Sequence, residues 1–230
     1  MTDVVVLGAS LAGLLTAAAA ARAGAEVLLL DRDQAPPGPS LRAGVPQGAQ
    51  PHVILHRGLR AGEELLPGLR TELLAVGGIS VDTGLLPWLG EHGWLPHHPS
   101  YQMVSLTRPL FEDVVRQRVL ALPGLRIRWD VRAIGLARDT GQWRVRVEDG
   151  TDVTGSLVVD ATGRTSRLRT WLADMGVPTR EPLTVDARLG YATQLITGGP
   201  DPTSCPASSS RRPRSPQSAA SRCPSKAAAG

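Results

Sequence analysis

Val4-Val5-Val6-Leu7-Gly8-Ala9-Ser10-Leu11-Ala12-Gly13, followed 18 residues after Gly13 by Asp31, is the stretch that decides the fold of this chain. Val4 to Leu7 is a short apolar run dominated by β-branched residues, the pattern of a strand buried on both faces. Gly8 to Gly13 forms the turn that follows it. From Leu11 to Ala23 the chain is rich in Ala and Leu, which favour helix, and Gly24 is a suitable C-terminal stop. Val27 to Leu30 is a second apolar strand that runs into Asp31.

A strand, a glycine turn, a helix and a second strand ending on an acid is the order of a dinucleotide-binding βαβ unit. Gly8 permits the tight turn and Gly13 lets helix and strand approach closely. The helix N-terminus offers unpaired N–H groups and a positive dipole end to a pyrophosphate. Asp31 has the spacing of an acid that accepts hydrogen bonds from a ribose hydroxyl. One position departs from the glycine pattern: the middle residue is Ser10, whose hydroxyl can itself donate to a phosphate. The run from Val4 to Ala21 has nearly the length of a membrane span. Asp3 precedes it, no cation does, and a glycine turn interrupts it, so it is read as neither a signal peptide nor a membrane anchor.

Working outward, the charge of the 230 residues is informative mainly by where it sits. The formal net charge is +4, and residues 201–230 carry all of it: Arg211, Arg212, Arg214, Arg222 and Lys226 against Asp201. The rest is neutral overall, so no nucleic-acid partner is expected for the folded part. Cys205 and Cys223 also lie in that tail, leaving the body without a disulfide framework or a cysteine nucleophile. A cytoplasmic location is the expectation that fits. His92, His97 and His98 fall in a Pro- and Gly-rich stretch with no helical ligand spacing, and are read as exposed loop residues with no metal role.

A Pro/Gly-rich loop from Ala35 to Ser40 opens a long insertion ending near residue 105. Helices are expected over Val53–Leu66 and Leu69–Val76, and a strand over Tyr101–Leu106. Thr107-Arg108-Pro109 opens a further helix, with Thr107 as N-cap and Pro109 in the first turn. Alternation from Leu125 to Trp129, from Val131 to Ala137 and from Trp143 to Glu148, with Asp149-Gly150 as a hairpin turn, is read as a β-meander. Leu157 to Asp160 is another buried strand, followed by a second glycine turn at Ala161-Thr162-Gly163 and a helix through Trp171. Residues 183–197 alternate as one more strand. From Asp201 to Gly230 no large apolar residue occurs, so this segment is expected to be disordered. Its Ser, Pro and Arg content resembles a GC-rich gene translated out of frame.

These segments together resemble FAD-dependent oxidoreductases of the para-hydroxybenzoate hydroxylase and squalene-epoxidase-like type. The resemblance rests on Gly8 to Gly13 with Asp31-Arg32, on Arg42-Ala-Gly-Val-Pro-Gln-Gly-Ala-Gln-Pro-His52, on Thr107-Arg108-Pro-Leu-Phe-Glu112, and on Asp160-Ala-Thr-Gly-Arg-Thr-Ser-Arg167. It implies an α/β, Rossmann-like FAD-binding fold over residues 1–182, with insertions near 35–105 and 125–155. Residues 183–200 would begin an incomplete substrate-binding sheet. It further implies Gly8, Ser10 and Gly13 at the FAD pyrophosphate, and Asp31 with Arg32 at the adenosine ribose. Arg42, Gln47 and Arg108 would lie against the flavin nucleotide, and Asp160 and Gly163 on its phosphate side. The family reduces FAD with NAD(P)H and transfers oxygen to a small organic substrate, with the flavin carrying the chemistry. A second FAD motif beginning Gly-Asp, which the family carries further on, is absent here. A non-oxygenating FAD-dependent reductase and an inactive nucleotide-binding remnant are the alternatives. The sequence leaves the oligomeric state open.

Overall fold

A computed structural model describes residues 2–50, 52, 54–190, 192–194 and 207–208. Strands β1 (Val4–Leu7) and β2 (Val27–Leu30) flank helix α1 (Leu11–Arg22). The insertion holds α2 (His56–Leu65), α3 (Leu69–Ala75), β3 (Ile79–Asp82), the hairpin β4–β5 (Trp88–Gly90, Gly93–Trp94) and β6 (Gln102–Ser105). Then follow α4 (Arg108–Leu120), β7 (Leu125–Arg128), β8 (Ala133–Asp139), β9 (Gln142–Val147), β10 (Asp152–Gly155), β11 (Leu157–Asp160) and α5 (Leu168–Asp174). A two-residue strand, β12 (Ala207–Ser208), runs parallel to β4.

The central sheet has the order β11-β1-β2-β7, and all three of its pairings are parallel. This is the Rossmann-like arrangement expected from the sequence. Its two faces divide the core by the period-two rule. Val4 and Val6 pack with Leu14, Ala17, Val115 and Val119 on the α1–α4 side. Val5 and Leu7 pack with Val145, Val147, Val153 and Trp171 under the meander and α5.

Two sequence expectations are corrected. Leu125 to Trp129 does not open the meander. Leu125–Arg128 pairs parallel with β2 as the edge of the central sheet, and the meander is β8-β9-β10 alone. An edge strand with one covered face alternates just as a meander strand does. Residues 183–190 form no strand: no described segment lies beside them to complete a ladder, and Leu183 is 95% exposed. Residues 192–194 likewise form no strand, and residue 191 and residues 195–197 lie outside the described residues. So does the expected disordered tail, apart from β12.

Other local readings hold. Thr107 caps α4, its Oγ1 accepting from the Leu110 N–H at 3.4 Å. Asp149-Gly150 lies in the turn joining β9 to β10, with Gly150 at φ +81°. His92, His97 and His98 are exposed around the β4–β5 hairpin.

Candidate functional site

Gly8 ends β1 with φ +94°, and a Cβ there would stand 2.7 Å from the Ala161 carbonyl oxygen. The two glycine turns therefore meet backbone to backbone at the carboxyl ends of neighbouring strands β1 and β11. A Cβ on Gly13 would lie only 1.7 Å from the Gly8 carbonyl oxygen, so glycine is required at both positions. Ser10 occupies the N-cap of α1, but its side chain does not cap the helix and the first turn carries no acid. The hydroxyl turns instead toward α4, donating to Glu112 Oε2 at 3.0 Å and accepting from Arg108 Nη2 at 3.2 Å. The first turn of α1 is thus left without a side-chain cap of its own.

Asp31 lies at the carboxyl end of β2 and is 6% exposed. Its Oδ2 accepts from the Ala9 N–H at 2.5 Å and its Oδ1 from the Asp33 N–H at 2.8 Å. Arg42 reaches in from the Pro/Gly-rich loop after β2. Its Nη2 lies 2.8 Å from Asp31 Oδ2 and 3.3 Å from Asp33 Oδ2. Its Nη1 lies 2.7 Å from Glu112 Oε1 and donates to the Ala9 carbonyl at 2.8 Å. The guanidinium also stacks over Trp129, 5.4 Å from the ring centroid. Burial disfavours its charge, but Asp31 and Glu112 outweigh burial and hold Arg42 above its ordinary pKa. α4 grips the same loop a second time, where Arg116 pairs with Asp113 and donates to the Gly38 carbonyl at 3.3 Å. For Arg116 burial is the largest influence, and its pKa is lowered.

These groups surround a cleft of ≈ 140 Å³ at the strand ends, whose lining includes Gly8, Ser10, Asp31, Arg32, Arg42 and Trp171. Arg32 is exposed at its edge. Arg108 stands behind Ser10, its Nη2 3.3 Å from Glu112 Oε2. Asp160 and Gly163 shape the second turn and are not part of the lining. Asp160 Oδ1 accepts from the Thr162 N–H at 2.8 Å and Oδ2 from the Ser166 hydroxyl at 2.5 Å, and Gly163 adopts φ +74°. Gln47 is exposed on a 3₁₀ turn, Pro46–Ala49, and does not line the cleft.

Sequence reasoning missed Asp33 and Glu112 as members of this site. Asp33 also accepts from the Gly44 N–H at 3.0 Å, and so ties the loop bearing Arg42 to β2. Glu112 was visible only as an acid one turn after Arg108, the spacing of a helical ion pair.

Residues 3–177 match the family model described as FAD dependent oxidoreductase. Protein Rv3254 of Mycobacterium tuberculosis (strain ATCC 25618 / H37Rv) is 32% identical over 209 residues, a match covering 82% of this chain and 44% of the relative. Among solved structures, PqsL, a probable FAD-dependent monooxygenase from Pseudomonas aeruginosa, matches with a TM-score of 0.58 at 19% identity. That match covers 79% of this chain and 48% of PqsL. The p-nitrophenol 4-monooxygenase PnpA from Pseudomonas putida DLL-E4 matches at 0.57 and 19% identity, covering 75% of this chain and 43% of PnpA. The chain thus spans less than half the length of each of these relatives. At such identities the solved structures establish a shared fold.

Proposed function

The chain belongs to the FAD dependent oxidoreductase family, and we propose that it holds the FAD of an NAD(P)H-dependent flavin monooxygenase acting on a small organic substrate. The observation that carries this reading is the uncapped N-terminus of α1. It opens between two glycine turns in backbone contact, beside a buried acid at the end of β2. A helix end of this kind suits a pyrophosphate, and the acid suits the adjoining ribose.

The residues present fit the adenosine diphosphate half of the cofactor. Three of the four or so lone-pair positions of Asp31 are taken, by Ala9, Asp33 and Arg42, which leaves one for a ribose hydroxyl. Gly8, Ser10 and Gly13 would border the pyrophosphate. Arg32 and Arg42 line the cleft, Arg108 stands behind Ser10 paired with Glu112, and Asp160 and Gly163 hold the second turn in shape. At ≈ 140 Å³ the cleft is smaller than the roughly 300–1,000 Å³ of ordinary ligand sites, in keeping with a place for only part of the cofactor. When bound, FAD supplies the electron-transfer and oxygen chemistry, with NAD(P)H as reductant. The chain's own residues bind, orient and balance charge.

Titration of the chain with FAD, followed by flavin fluorescence and by competition with ADP, tests the binding step. Saturable binding that ADP displaces is expected, weakened by Asp31→Asn, which removes the negative charge and one of the two acceptor oxygens. Addition of NADH or NADPH to the loaded chain under air then tests the redox step. Failure of FAD to bind, or binding indifferent to Asp31→Asn, would sink the cofactor assignment. Bound FAD that neither nicotinamide reduces would remove the monooxygenase reading and leave the binding one.

A further inference from the structure

We infer that the indole N–H of Trp171 donates to a ring nitrogen of the adenine base, which makes Trp171 a nucleotide-binding residue of this chain. The inference rests on the flavin reading and deepens it, naming the group that receives the base beside Asp31.

Trp171 lies on the inner face of α5. Leu168 and Met175, three residues before it and four after, pack against the same core cluster, which fixes the side of the helix that carries the indole. The ring is 7% exposed and lines the nucleotide cleft. Its Nε1 is closed to solvent and meets no acceptor among the described residues. The large majority of buried side-chain polar atoms do find a partner, and a buried tryptophan N–H usually does so as well. This donor is thus left unanswered by the protein on a ring that borders the cleft.

The surroundings of the indole decide what kind of acceptor suits it. Leu7, Leu30 and Val131 line the cleft with Trp171 and pack in its cluster, and together they make an apolar floor. A water held there would need about two to four polar partners, and the floor adds none to the indole. The floor begins at the acid proposed for the ribose. Leu30 precedes Asp31 in β2, and the Val131 N–H donates to the Asp31 carbonyl at 2.8 Å. A base carried by a ribose at Asp31 therefore has this floor beside it. Adenine presents a flat apolar face to such a floor, and its ring nitrogens are acceptors. The indole is a donor only, so the exocyclic amino group cannot answer it and a ring nitrogen can.

NMR of the nitrogen-15-labelled full chain tests this. The indole region should hold the signals of its five tryptophans, and the one missing in Trp171→Phe belongs to Trp171. ADP should move that signal, whereas ribose 5-diphosphate, which lacks the base, should leave it in place. ADP should bind Trp171→Phe about five- to tenfold more weakly than wild type, the worth of one neutral hydrogen bond. Ribose 5-diphosphate should bind both alike. Of 1-deaza-, 3-deaza- and 7-deaza-ADP, each lacking one ring nitrogen, one should show the same weakening on wild type and no further loss on Trp171→Phe. Should that variant not fold, the indole signal is assigned from the backbone, and the weak analogue should fail to move it at saturation. ADP that binds without moving the Trp171 signal, three analogues that bind wild type as ADP does, or undiminished ADP affinity in folded Trp171→Phe would each overturn the inference and leave the flavin reading standing. Failure of ADP to bind wild type at all would remove both.

Discussion

Replacing Arg42 with Met tests whether the cleft is built around a buried charge cluster. The substitution keeps most of the side-chain stem against Trp129 and removes the guanidinium. Arg42 lies 2.8, 3.3 and 2.7 Å from carboxylate oxygens of Asp31, Asp33 and Glu112, with its side chain 6% exposed. At an effective dielectric near 20, unit charges about 4 Å apart interact by about 4 kcal/mol. Desolvation of several kcal/mol per ion offsets most of this. Removing one partner from such a cluster costs about 3–5 kcal/mol, because the remaining charges stay buried and unpaired. In a chain of this size each kcal/mol shifts the unfolding temperature by roughly 2–4 °C, so a fall of roughly 6–20 °C is expected. Arg144 is the control. It lies 2.5 Å from Asp139 and 3.7 Å from Asp152 with its side chain 41% exposed, where a pair contributes at most about 1 kcal/mol. Thermal unfolding of Arg42→Met, Arg144→Met, Glu112→Gln and the Arg42→Met/Glu112→Gln pair gives the comparison. The double variant should show a coupling of about 0.5–3 kcal/mol. Arg42→Met unfolding within about 2 °C of wild type, or a temperature no lower than that of Arg144→Met, would refute the reasoning.

Other outcomes follow from the same geometry. Gly13→Ala gains about 1 kcal/mol of helix propensity, but its Cβ would lie 1.7 Å from the Gly8 carbonyl oxygen. The glycine turn must shift by more than an ångström, so net destabilisation of roughly 1–3 kcal/mol in urea unfolding is expected, together with weaker FAD binding. Unchanged values for both would contradict the close approach. Thr107→Ala removes the cap at Leu110 N and should lower stability by about 0.5–1 kcal/mol, the modest end of the range for caps, read from the urea midpoint. Asp149 is held below its ordinary pKa, first by hydrogen bonds from the Thr151 hydroxyl and N–H and then by Arg128. A depressed carboxylate stabilises the fold above its unfolded pKa and loses that contribution as pH falls through the folded value. NMR titration should therefore find Asp149 below the usual aspartate range, and Thr151→Val should bring its midpoint back toward that range.

The central fold was legible because its determinants are local. The apolar run at Val4, Gly8, Gly13 and the Asp31 spacing lie within thirty-one residues, and each states a backbone requirement the structure meets. What was not legible depended on which surface a segment meets. Leu125 to Arg128 carries the period-two pattern of a half-covered strand, whether in a meander or at the edge of a parallel sheet, and only its pairing with β2 decides between them. Residues 183–190 carry the same pattern and meet no described partner, so the pattern yields no strand.

Ser10 shows most clearly what a motif leaves open about a site. A hydroxyl at the middle glycine position invites a phosphate role, yet the structure commits it to Glu112 and Arg108, about a hundred residues away. No sequence spacing announces that contact, because it exists only where α4 packs across the start of α1. Its consequence is specific. By turning away, Ser10 leaves the N-terminus of α1 without an internal acceptor and joins the glycine turn to the charge cluster around Arg42. The departure from the glycine pattern therefore tethers the turn to α4 and, through Glu112, joins it to Arg42.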